Sequence, residues 1–89
     1  AKYYINSNTN MSNIEKYKKA FIDSLSLNNS TELEKLEYQS IAEWDSIGHM
    51  TLMSELENIF GISIDTDDIV DFSSYKKGKD ILMKYKINI

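Results

Sequence analysis

Ile14, Tyr17, Phe21 and Leu25 recur at helical spacing, and Lys16, Lys18, Lys19 and Asp23 fall on the other faces. The pattern predicts an amphipathic first helix. Ser12-Asn13-Ile14-Glu15 supplies its start, because a Ser hydroxyl takes the third amide while the Glu carboxylate reaches back. Asn28-Asn29-Ser30 breaks the period, so the helix is expected to end near Leu27. Residues 28–45 keep no single period. Thr31 followed by Glu34 predicts a capped turn with Leu33 and Leu36 inward. Tyr38, Ile41 and Trp44 read as anchors that pin an irregular loop onto the domain. Loops of this length in a compact domain are usually functional.

A second helix is expected over Ser46 to Phe60, started by Asp45 or Ser46. Leu52, Leu56, Ile59 and Phe60 form its core stripe. Ile47, Met50 and Ser54 form a second stripe, flanked by Glu57. That stripe is either a partner surface or packs under the preceding loop. Gly61 ends the helix as a left-handed residue does. Ile62 and Ile64 alternate with polar residues, but no second strand is present to pair with them, so an extended loop is expected. Asp65 or Thr66 starts a short helix through Ile69 and Val70. A last helix is expected from about Ser74 to Tyr85, with Tyr75, Ile81, Leu82 and Tyr85 inward. Lys84 and Lys86 sit at its favourable end, and Gly78 weakens it slightly. The sum is an all-α four-helix bundle: three longer helices, a short third helix and a long first loop.

The 89 residues suit one small domain. Residues 1–10 lack periodicity and read as an N-terminal extension or cloning remnant, although Tyr3, Tyr4 and Ile5 could dock as a strand-like segment. The domain itself is expected over residues 11–89. There is no cysteine and only one histidine, so neither a disulfide framework nor a thiolate or histidine metal cluster is available. No apolar run reaches spanning length and no signal-peptide core is visible, which leads us to expect a cytoplasmic protein without a membrane partner.

Charge sharpens the picture. The net charge is −4, and all ten basic residues are Lys, lying at or before Lys35 and at or after Lys76. Between them, residues 36–75 hold nine acids: Glu37, Glu43, Asp45, Glu55, Glu57, Asp65, Asp67, Asp68 and Asp71. This stretch is either a solvated acidic face or a surface that steers basic partners. It argues against nucleic acid, whose phosphates need clustered Lys or Arg.

The candidate chemistry is narrow. Nucleophilic catalysis at Ser46 would need His49 as base, and no oxyanion hole or cleft is evident. A calcium loop counted from Asp65 would need Gly at position 70 and Glu at position 76, where Val70 and Lys76 stand. No catalytic or metal-binding residues are therefore assigned. Ser46 is either a plain helix start or a modification site, since the amides and dipole at a helix N-terminus stabilise a phosphate.

Asp45-Ser46-Ile47, the Met/Leu-rich helix after it, Phe60-Gly61-Ile62-Ser63-Ile64 and the acidic short helix resemble an acyl carrier protein over roughly Met11 to Tyr85. The resemblance implies an acyl-carrier-type bundle that is not an enzyme. It implies 4′-phosphopantetheine, moved from coenzyme A onto Ser46 by a phosphopantetheinyl transferase, with Asp45 beside it. The arm's thiol would carry an acyl or aminoacyl group as a thioester. Leu52, Leu56, Phe60, Ile64 and Ile69 match positions that line the bundle core, where acyl chains can be sheltered. Ile47, Met50, Ser54 and Glu57 match positions that meet partner enzymes, here acyl-activating, acyltransferase or synthase enzymes with basic patches acting on a monomer. The motif is usually Asp-Ser-Leu. Trp44 replaces a small residue, Thr51 stands where an acid is common, and Gly48-His49 replaces an acid and a small polar residue. These departures resemble specialised carriers of polysaccharide-modification or secondary-metabolite pathways more than the housekeeping fatty-acid carrier. The alternative is an unmodified helical module that docks through helix two.

Overall fold

The computed structural model describes residues 11–89, and the expected extension with Tyr3, Tyr4 and Ile5 lies outside them. Four α-helices form the all-α bundle: α1 Asn13–Ser24, α2 Ser46–Phe60, α3 Thr66–Asp71 and α4 Tyr75–Met83. A single 3-10 turn, Leu33–Lys35, interrupts the long α1–α2 connection. Among the described residues no helix is long and apolar enough to cross a membrane.

The capping box at Ser12 and Glu15 is present in both directions, which fixes where α1 begins. Its end comes earlier than the expected Leu27. Ser26 adopts φ 54°, and the Leu27 amide bonds the Ile22 carbonyl at 3.0 Å, so the chain closes a Schellman motif and turns away. The same device ends α2 at Gly61 (φ 64°) and the last helical segment at Lys86 (φ 65°), where Ile62 bonds Glu57 and Ile87 bonds Leu82. Only one of these three left-handed positions holds glycine. Ser26→Gly and Lys86→Gly are therefore each expected to raise stability by up to about 1 kcal/mol, and Gly61→Ala to lower it by a similar amount. Urea midpoints at unchanged m-value read the difference.

The core is built around Phe21. Its ring centroid lies 5.1 Å from Tyr17, 5.0 Å from Tyr75 and 5.4 Å from Trp44, each edge-on. Such contacts add to the burial of large rings. From α2 the buried residues are Leu52, Met53 and Leu56. Ile59 and Phe60, expected inward, are half-buried, and Met53 takes a place the core stripe had not given it. From α4, Tyr75, Ile81 and Leu82 are buried, whereas Tyr85 is half-buried past the helix end.

One expectation about caps is corrected and two others are extended. Thr31 does not cap the 3-10 turn: its hydroxyl is given to Asn28 Oδ1 at 3.1 Å, and Glu32 stands at the cap without a side-chain bond. Gly78 is not a mere weak point in α4. It is buried, and a Cβ there would run into the Phe72 ring and the Tyr17 hydroxyl. Lys84 is not simply an end charge, because its Nζ reaches Asp68 Oδ1 at 2.5 Å.

Ile62 to Asp65 is extended without forming a strand. One isolated antiparallel bridge, Glu37 with Ser74, ties the long loop to the start of α4. The Tyr38 amide donates to the Ser73 carbonyl at 2.8 Å and the Tyr75 amide to the Leu36 carbonyl at 3.0 Å. This tie holds the second half of the loop over the bundle, beside the start of α2.

Candidate functional site

The site is the start of α2 and the loop that wraps it. Glu37 to Trp44 closes on itself. Ser40 Oγ donates to the Glu37 carbonyl at 2.7 Å, and the Gln39 amide donates to the Trp44 carbonyl at 2.9 Å. Gln39 sits at φ 68°, which folds the chain back sharply enough for that closure. Asp45 then takes extended geometry and caps α2, its Oδ1 accepting from the Gly48 amide at 2.8 Å. A Cβ on Gly48 would strike the Glu43 carbonyl oxygen, so glycine lets the loop cross against the helix start.

Ser46 is the first residue of α2 and is exposed. Its Oγ lies 3.2 Å from the Tyr38 hydroxyl. His49, one turn on, does not face it as a base. Trp44 Nε1–H donates to His49 Nδ1 at 2.9 Å, which leaves Nε2 to carry the ring proton and donate to the Ile69 carbonyl at 2.7 Å. Both ring nitrogens are thus committed, one to the loop and one to α3. Trp44 is fully buried, stacked at 6.1 Å on His49. The pair fastens the loop, α2 and α3 together directly below Ser46.

A mainly apolar groove of about 350 Å³ opens beside Ser46. Met50 and His49 of α2, Ile69 and Val70 of α3, and the rings of Tyr38 and Phe72 line it. Of the five apolar residues matched to an acyl-sheltering role, only Ile69 lines this groove. Leu52, Leu56 and Ile64 are buried in the packed core, and Phe60 is half-buried against it. Tyr38, Val70 and Phe72 were not singled out for the site from the sequence. Tyr38 reads from the sequence as a loop anchor, but nothing in its spacing places it against Ser46.

The second stripe of α2 is open. Ile47 is 78% exposed and Met50 53%, with Val70 of α3 at 76%. The reading in which Ile47 and Met50 pack under the loop is therefore set aside. Ser54 is exposed too. Glu57 differs: half-buried, its Oε2 accepts from the Ile64 amide at 2.8 Å and holds the α2–α3 connection. Glu43, Asp45, Asp67 and Asp71 are exposed and have no ion pair among the described residues.

Asp68 is the acid that turns inward. It is buried, with Lys84 Nζ on one carboxylate oxygen and the Tyr85 hydroxyl donating to the other at 2.5 Å. Tyr85 in turn accepts from the Asp65 amide at 2.9 Å. This latch holds α3, and hence one wall of the groove, to the chain after α4. The bonds from Lys84 and then Tyr85 hold the Asp68 carboxyl below its usual range, and the same contacts raise the Lys84 ammonium and the Tyr85 phenol.

A carboxylate with a depressed native pKa stabilises the fold fully above its unfolded value, about 3.9, and that contribution is lost as the pH falls through the native value. The raised Lys84 and Tyr85 groups share these bonds with the Asp68 carboxylate, so their part is present while Asp68 is ionised and is otherwise lost only as the solution becomes strongly alkaline. Asp68→Asn is therefore expected to show a smaller fall in urea midpoint than the parent protein between about pH 6 and about pH 3. An equal fall in both proteins would remove Asp68 as the acid-sensitive group.

The chain matches no protein-family model, no curated protein and no solved structure.

Proposed function

We propose that this protein is a non-catalytic carrier, with Ser46 as the attachment point for 4′-phosphopantetheine. The observation that carries the reading is the exposed Ser46 hydroxyl at an ordered helix start, opening onto an apolar groove, with the nearby imidazole bound elsewhere. An exposed hydroxyl of this kind suits a partner enzyme's active site better than one of its own. In the loading step Ser46 Oγ forms a new P–O bond, the pyrophosphate bond of coenzyme A breaks, and adenosine bisphosphate leaves with the electron pair. The serine proton passes to a base on the transferase. When attached, the arm supplies a terminal thiol that carries acyl or aminoacyl groups as thioesters.

The residues present fit that group. The start of α2 offers the favourable end of a helix dipole to a phosphate. The groove gives apolar walls to part of an arm or cargo. Ile47 and Met50, with Asp45 and Glu43 nearby in the chain, make an apolar and acidic surface suited to enzymes with basic patches. Glu57 contributes less to that surface than its spacing implied, being tied to Ile64.

The exposure of Ile47 and Met50 also favours a second reading, an unmodified module that docks through α2. Incubation with coenzyme A and a phosphopantetheinyl transferase of broad specificity separates the two. The carrier reading expects one added arm by intact mass, absent in Ser46→Ala. A mass that stays unchanged with every transferase tried would leave the docking module as the better account.

A further inference from the structure

Tyr38 is held against Ser46 by several independent restraints. Its amide is fixed to the Ser73 carbonyl at 2.8 Å. Its ring lies edge-on to His49 at 5.3 Å and to Trp44 at 6.4 Å. The left-handed Gln39 that follows turns the chain back toward α2. The phenol oxygen ends 3.2 Å from Ser46 Oγ.

We infer that Tyr38 is the positioning residue for a phosphate ester on Ser46, its O–H donating to the phosphate and fixing the direction in which the arm leaves α2. This rests on the carrier reading above. In the free protein either hydroxyl can donate to the other. Once Ser46 is esterified, its oxygen has no proton, and the roles are forced: the phosphate accepts and Tyr38 donates.

The surrounding charge makes that donor matter. A phosphodiester adds a negative charge to a segment, residues 36–75, that holds nine acids and no lysine. Glu43 and Asp45 are exposed on the loop side. Nearby groups are already engaged: the Gly48 amide donates to Asp45 Oδ1, His49 Nδ1 accepts from Trp44, and His49 Nε2 donates to the Ile69 carbonyl. The phenol is the side-chain donor already in contact with Ser46 Oγ, on the groove side and away from Glu43. A hydrogen bond to an ionised acceptor is roughly twice as strong as a neutral one, so the contact strengthens on loading. The arm is then directed along the groove mouth instead of across the acidic loop.

The test compares the loaded parent protein with loaded Tyr38→Phe, which removes one oxygen from a half-buried side chain and leaves the ring packing in place. Phosphorus NMR reads the ester directly. The expected result is a resonance in the folded, loaded parent displaced from that of the same loaded protein unfolded in urea, with the displacement lost in Tyr38→Phe at equal arm mass and equal helical circular dichroism. A folded Tyr38→Phe protein that takes up no arm where the parent does overturns the assignment, because the hydroxyl is then needed before the ester exists and not to orient it. Identical resonances in the two loaded proteins overturn the role of Tyr38 and leave the carrier reading intact. A parent protein that accepts no arm overturns both.

Discussion

Gly78→Ala is expected to destabilise the protein by about 3 kcal/mol, although alanine is the better helix former. On an exposed helix interior the same change would add about 1 kcal/mol. The sign reverses because α4 crosses the core at this residue. An added Cβ would lie 2.6 Å from Phe72 Cε1 and closer still to Phe72 Cζ and the Tyr17 hydroxyl. Neither neighbour can retreat cheaply. Phe72 is buried and packs on Phe21 at 6.2 Å. Tyr17 donates to the Tyr75 carbonyl at 2.6 Å inside the core, and moving it strands both groups. For a chain whose total stability is on the order of 5–10 kcal/mol, a loss of this size is a large fraction. Urea unfolding followed by circular dichroism measures it. A midpoint that rises would show that α4 can shift freely, contrary to the packing described.

The same glycine shows what the sequence could and could not say. Helix propensity is a local property, and by that measure Gly78 is a defect. The Phe72 and Tyr17 contacts come from six residues before it and from a different helix, and no local pattern encodes them. The bounds of α2 were readable for the opposite reason: an Asp-Ser start and a Gly61 finish are both local signals. The five residues matched to acyl sheltering gather in and against the core, but only Ile69 also lines the groove beside Ser46. Periodicity tells which face of a helix is apolar, but not whether the space beneath is already filled. Leu52, Leu56 and Ile64 fill the core, and the groove opens instead where Tyr38, Met50 and Val70 meet. The Tyr38–Ser46 contact spans eight residues of aperiodic loop. It depends on Gln39 turning left-handed and on the tie to Ser73, neither of which has a clear sequence signal.

Trp44→Ala is expected to cost about 3–5 kcal/mol, the range for removing a large buried ring whose cavity cannot fully collapse. Trp44 is fully buried and contacts Phe21 at 5.4 Å, Tyr38 at 6.4 Å and His49 at 6.1 Å, so its loss opens a void under both the loop and α2. Trp44→Phe separates packing from polarity. It keeps a ring against Phe21 but removes the N–H, leaving His49 Nδ1 half-buried without its donor, at an expected cost of about 1–2 kcal/mol beyond the lost volume. Because Trp44 is the chain's one tryptophan, unfolding of both variants must be read by circular dichroism. The consequence for the site is more specific than the loss of stability. With His49 freed on one side, nothing fixes which ring nitrogen faces Ile69, and α3 loses its defined bond to α2. Tyr38 loses an edge contact at the same time, so its hydroxyl no longer has a fixed place against Ser46. Loading at Ser46 is therefore expected to slow in Trp44→Ala even at temperatures where the protein is fully folded. Equal loading rates for the folded variant and the parent would mean that the start of α2 is ordered by Asp45 and Gly48 alone.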